Sequence, residues 1–158
     1  THDSKLTADE QYTHITLWSI LGSPLLIGCD MAELDDFTLN LLCNSEVIDV
    51  NQDELGWQAS RIYGDDTYAT YLKPLADGTV AVAMFNLSSE PKKIGFIPRS
   101  LGVIGSQVIR DHWRQKDIYT CGYRERWETE VAPHGCVFVK LTPVQKNFVP
   151  EGFDKNIK

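Results

Sequence analysis

The run Ser23-Pro24-Leu25-Leu26-Ile27-Gly28-Cys29-Asp30 constrains this chain most. Pro24 to Cys29 is apolar without alternation, which predicts a short strand covered on both faces, as in a parallel sheet. Such a strand needs neighbours. No other segment supplies a clear parallel partner, so the chain reads as a piece of something larger.

Helical patterns flank this run. Thr7-Ala8-Asp9-Glu10 has the form of a capping box, in which the Thr7 hydroxyl accepts from the Glu10 amide while the Glu10 carboxylate accepts from the Thr7 amide. Tyr12, Ile15, Trp18 and Leu21 then recur at helical spacing until Gly22 and Pro24 stop the helix. His14 lies within this pattern with no nucleophile or metal ligand at a helical spacing from it, and so reads as a helix residue before a base. Beyond the run, Asp35 is an N-cap for a helix carrying Phe37, Leu39, Leu41 and Leu42, and Asn44 can cap a further turn through Val47 and Ile48. The order helix, strand, helix is the connectivity of the closing units of an α/β barrel or a doubly wound sheet.

From about Gly56 the pattern changes. Thr67–Leu72 and Thr79–Asn86 are rich in β-branched and aromatic residues, and Asp77-Gly78 between them is a hairpin signal. Lys93–Ile97, Gln107–Asp111, Trp127–Val131 and Cys136–Leu141 are further strand candidates, punctuated by Gly102, Pro133-His134-Gly135 and Pro143. Short strands between turns, with no helical period, predict an antiparallel sandwich. Gln145 onward loses the pattern and reads as a surface tail.

The 158 residues have room for one ordinary domain, or for a small domain plus a fragment of another. A net charge of −7 argues against nucleic-acid and anionic-membrane partners, which need a basic face, and leaves neutral partners such as sugars open. No apolar run approaches the ~20 residues that span a bilayer. Cys29, Cys43, Cys121 and Cys136 are too scattered for a zinc site or a disulfide scaffold, so they read as free or buried thiols, and no cofactor is indicated. Asn86-Leu87-Ser88 fits the glycosylation acceptor pattern.

Chemistry is harder to find. The adjacent pairs Asp35-Asp36, Asp53-Glu54 and Asp65-Asp66 diverge on a helix or a strand, so capping and turn formation are their expected roles. No nucleophile elbow, phosphate loop or zinc-protease motif is present. Trp57, Trp113 and Trp127 can stack on a sugar face or pack in a core; Trp113, in Asp111-His112-Trp113-Arg114 at a strand end, is the best placed of the three for a sugar.

Three stretches taken together carry a family resemblance: Leu6-Thr7-Ala8-Asp9-Glu10-Gln11, Leu17-Trp18-Ser19-Ile20-Leu21-Gly22-Ser23-Pro24-Leu25-Leu26-Ile27-Gly28-Cys29-Asp30, and Asn44-Ser45-Glu46-Val47-Ile48-Asp49-Val50-Asn51-Gln52-Asp53-Glu54-Leu55-Gly56. With the hairpin Lys73–Ala83 and the turn Val131–Gly135, the chain resembles the C-terminal portion of the α-galactosidase and α-N-acetylgalactosaminidase family, glycoside hydrolase family 27. The resemblance runs from about Leu6 to Thr142. It implies a mainly β fold, a C-terminal antiparallel β-sandwich preceded by the last helix-strand-helix unit of a (β/α)8 barrel. The expected divisions are residues 1–54 for the barrel segment, 55–144 for the sandwich and 145–158 for the tail.

The resemblance further implies that the parent is a retaining exoglycosidase for terminal α-linked galactose, working in a secreted, periplasmic or lysosomal setting; the alternatives are a parent specific for α-N-acetylgalactosamine or β-L-arabinopyranose, and a carbohydrate-binding or structural sandwich module. Its two catalytic aspartates lie on earlier barrel strands and have no counterpart here. Substrate would reach the protein through the barrel, and this portion would pair with that barrel or with another copy of the chain. Asp30, where the eighth strand would meet the catalytic face, is a candidate substrate-binding residue or a cap for the next turn, and Trp113 is the second substrate-binding candidate.

Overall fold

The computed structural model describes residues 4–144. The capping box at Thr7 is formed as expected, with Glu10 N donating to Thr7 Oγ1 at 3.3 Å and Thr7 N to Glu10 Oε2 at 2.8 Å. It opens helix α1, Ala8–Ile20. Asp35 and Asn44 cap α2, Asp36–Leu42, and α3, Ser45–Asn51, through the amides of Thr38 and Val47. Eight strands follow: β1 Ser60–Gly64, β2 Tyr68–Pro74, β3 Val80–Asn86, β4 Lys92–Phe96, β5 Gln107–Asp111, β6 Lys116–Cys121, β7 Trp127–Val131 and β8 Cys136–Pro143. They pair antiparallel in two sheets, ordered β1-β2-β3-β8-β5-β6 and β4-β7. The expected tail from Gln145 lies outside the described residues.

The side-chain alternation of β3 explains the layering. Val82 and Met84 point between the sheets, where they meet Ile94 and Phe96 of β4, Ile109 of β5, Trp127 and Val131 of β7, and Val139 and Leu141 of β8. Ala81, Ala83 and Phe85 point the other way and pack, with Phe138 and Leu75, under Ile20 of α1 and Val47 and Val50 of α3. The helical segment is therefore a third layer on the large sheet.

Polar groups tie the helices to one another and to the sheet. Asn51 Nδ2 donates to the carbonyls of Trp18 and Ser23 at the end of α1. Lys73, on the helix-facing side of β2, is fully buried and donates its Nζ to the carbonyl of Val50 in the last turn of α3. A cation there complements the unpaired carbonyls of a helix C-terminus. Burial lowers the Lys73 pKa, and Asp53 opposes that shift. At the other end of α3, Arg110 grips Glu46 with two nitrogens, at 2.7 and 3.0 Å.

Two expectations change. Pro24–Cys29 forms no strand: among the described residues no segment pairs with it, and Leu26 is left 91% exposed and Ile27 48%. The glycosylation pattern at Asn86 is structural. Asn86 is buried in β3, and its Nδ2, the atom a glycan would need, donates to the carbonyls of Glu90, Val131 and Ala132.

Two outcomes test this packing. Gly95 lies against β7, and a Cβ there would stand 2.2 Å from the Trp127 carbonyl oxygen. Gly95→Ala is expected to push β4 off β7 and cost about 1–3 kcal/mol in urea unfolding. His112 is buried against Phe138, and burial lowers its pKa to about 4 from the ordinary 6.5, although Glu46 pulls the other way. The unfolded chain thus takes up a proton that the folded chain refuses. The His112 contribution is constant above pH 6.5 and destabilises progressively as pH falls towards 4, by up to about 3 kcal/mol. His112→Leu is expected to remove that part of the pH dependence of unfolding between these limits.

Candidate functional site

Two clefts line the seam between helices and sheet. The larger, of about 680 Å³, lies beside α3 and is walled by Glu46, Asp49, Asp53, Asp77, Arg110, His112 and Lys140. Its cations are already engaged. Arg110 bonds Glu46 and also Asp117, at 3.1 Å, and Lys140 bonds Asp77 at 2.6 Å. Burial disfavours the charged form of Asp77, but hydrogen bonds from Lys140 and Thr79 outweigh it and bring its carboxyl down to about 2. Such a carboxylate holds no proton to give at neutral pH.

His112 Nδ1 stands 3.5 Å from Glu46 Oε2, and Nε2 has no protein partner. With its pKa held near 4 the imidazole is neutral, and no hydroxyl or thiol nucleophile is bonded to it. The lining supplies fixed charge and no acid-base pair poised for proton transfer. Among the described residues no group of three His, Cys, Asp or Glu side chains is arranged to hold a metal ion.

The second cleft, of about 350 Å³, lies between α1 and the β7–β8 turn, with Tyr12 and Trp113 in its wall. Their rings meet edge to face, 4.7 Å apart at 71°. Trp113 Nε1 donates to Thr16 Oγ1 at 2.9 Å, and Thr16 in turn lies 3.3 Å from Cys136 Sγ. Thr13 ties the same helix to the turn by donating to the His134 carbonyl at 2.8 Å. Burial pushes the Cys136 thiol up to about 11, so it stays protonated.

The two residues marked for substrate binding are far apart in role. Trp113 is half-buried and lines the second cleft. Asp30 lines neither cleft; its Oδ1 accepts from Ala32 N at 3.0 Å and caps a 3-10 turn, Met31–Glu33. Trp57 is 56% exposed, whereas Trp127 is packed against Phe96 between the sheets. His14 is exposed and edge-on to Trp18. Asp35, Asp53 and Asp65 cap backbone amides, as adjacent carboxylates were expected to do, and the four cysteines are free. Glu46, Arg110, His112 and Lys140 were not singled out in the sequence. Glu46 and Arg110 are 64 residues apart, and no local pattern announces such a pair.

Comparison with known proteins adds the family. A model of the α-galactosidase C-terminal β-sandwich domain matches residues 65–141, and one described as α-galactosidase A matches residues 2–53. α-Galactosidase 2 of Arabidopsis thaliana is 34% identical over 139 residues, which cover 87% of this chain and 35% of that protein. The α-galactosidase of Oryza sativa subsp. japonica is 35% identical, over 85% of this chain and 32% of its own length. Among solved structures, a family 27 β-L-arabinopyranosidase from Geobacillus stearothermophilus superposes with a TM-score of 0.82 at 33% identity, over 89% of this chain and 31% of that one. α-Galactosidase I from Mortierella vinacea gives 0.82 at 26% identity, over 90% of this chain and 38% of that one. The chain spans about a third of the length of these relatives. An α-galactosidase match followed by a match to the α-galactosidase C-terminal sandwich, together with relatives of 34–35% identity over most of the chain, places the chain in the α-galactosidase family, as its C-terminal portion.

Proposed function

We propose that this chain is the C-terminal part of a retaining exoglycosidase that removes terminal α-linked galactose. The observation that carries this reading is the succession of the two matches, residues 2–53 to an α-galactosidase model and residues 65–141 to the α-galactosidase sandwich. In the parent, two carboxylates ~5 Å apart would form and then hydrolyse a glycosyl-enzyme intermediate. The present sequence carries no counterpart of that pair, so the 158 residues alone are inactive.

The role left to this portion is structural support of the barrel. Residues 1–54 are the barrel's closing segment and 55–144 the sandwich that backs it. Pro24–Cys29 is the eighth barrel strand. The unpaired backbone there and the exposure of Leu26 and Ile27 fit a strand whose neighbours belong to another part of the protein. α1 and α3 keep their places because their inner faces are packed on β3 and β8. Asp30 at the end of this strand would then sit at the rim of the catalytic face. A secreted, periplasmic or lysosomal setting suits such an enzyme.

A sister specificity is the second reading, favoured by the likeness to the β-L-arabinopyranosidase structure. The sugar would be chosen by barrel loops outside these residues.

Two assays test the proposal. The purified 158-residue chain is expected to give no turnover of an aryl α-galactoside above background. The longer polypeptide that contains these residues is expected to hydrolyse the aryl α-galactoside with retention of configuration, and the aryl β-L-arabinopyranoside far more slowly. Turnover by the short chain, or no glycosidase activity in the longer one, overturns the reading; a reversed preference moves the assignment to the sister specificity.

A further inference from the structure

We propose that the cleft between α1 and the β7–β8 turn is a non-catalytic saccharide site that holds one pyranose unit of a neutral oligosaccharide. Its volume of about 350 Å³ is near the lower end for small-molecule sites, ~300–1,000 Å³, and matches a single sugar ring with its linkage. The wall combines the two classes of group that a sugar needs. Tyr12 and Trp113 offer aromatic carbon for the C–H face of a pyranose, and the carboxylates of Asp9, Asp111 and Glu130 accept from hydroxyls. Arg114 donates from the rim.

The site is already in order. Trp113 is held by its bond to Thr16, and Asp111 Oδ1 accepts from Arg114 N at 3.0 Å while Oδ2 lies 3.4 Å from the Arg114 guanidinium. Binding therefore loses little side-chain freedom in these groups. Arg114 repels a cationic ligand, and the three carboxylates repel an anionic one. A neutral polyol, whose hydroxyls both donate and accept, meets every group present. The cleft beside α3 is less suited, because no Trp, Tyr or Phe lines it.

Such a site would keep a branched or polymeric galactoside near the barrel after each cleavage by raising its local concentration. Only the choice of sugar rests on the reading of the parent as a galactosidase; the site itself lies wholly within this chain.

Titration of the 158-residue chain with methyl α-galactopyranoside, methyl α-glucopyranoside and raffinose, followed by the indole N–H resonances in a ¹H–¹⁵N spectrum, tests the proposal. The Trp113 resonance is expected to shift saturably with at least one sugar at a Kd of roughly 1–10 mM, while the buried Trp127 resonance stays still. Arg114→Ala and Asp9→Asn alter exposed side chains and are expected to weaken binding about tenfold with an unchanged melting curve. No saturable shift with any of the three sugars overturns the proposal, and so does binding that both variants leave undiminished. Because this experiment involves no hydrolysis, its failure leaves the α-galactosidase assay on the longer polypeptide untouched, and the reverse also holds.

Discussion

Burial of β3 on both faces is the constraint on which the rest depends. An antiparallel strand in a sandwich normally keeps one face for water, yet from Ala81 to Phe85 none of the side chains is more than 3% exposed. Each large apolar side chain so buried contributes about 1.5–3 kcal/mol. That gain requires a cover for the second face, which α1 and α3 provide. The small Ala81 and Ala83 let the helices come close, while Phe85 and Phe138 fill the space beside them.

Once the helices must lie there, their ends must be satisfied. Asn51 answers the carbonyls of Trp18 and Ser23 where α1 ends, and the buried Lys73 answers the Val50 carbonyl in the last turn of α3. A buried lysine is a costly choice, because its ammonium is desolvated. It persists here because the carbonyl it meets would otherwise be an unpaired acceptor at the same depth. The Glu46–Arg110 pair does similar work nearer the surface, where the two side chains are 22% and 34% exposed and solvent weakens their attraction. Its bidentate geometry fixes the angle of α3 more than it adds stability.

The clefts follow from the same arrangement. Helices and a twisted sheet fit closely along the centre of their contact and diverge at the edges. One edge gathers the charged residues of α3 and the β2–β3 turn, and the other gathers Tyr12, Trp113 and the β7–β8 turn. Leu26 and Ile27, in the run that connects α1 to α2, are left exposed while the inner faces of α1 and α3 are buried on the sheet.

Much of this was legible in the chain itself. The caps at Thr7, Asp35 and Asn44 act within three residues, so local pattern located all three helix starts. Six strands carried enough β-branched and aromatic residues to be seen. β1 and β6 did not: both are largely exposed at the edges of the large sheet and carry only an Ile-Tyr pair among mostly polar residues. The motifs running from Leu6 to Gly56 pointed to the family without reference to shape. Tertiary structure alone decided what Pro24–Cys29 does in this chain, because a strand is a relation between segments and its composition cannot supply the partner. It also decided the meeting of Lys73 with Val50, of Asn86 with Val131 and of Glu46 with Arg110, each a bond that spans tens of residues. Nearest-neighbour chemistry is written in sequence order, whereas the meeting of distant side chains depends on the layering that β3 imposes.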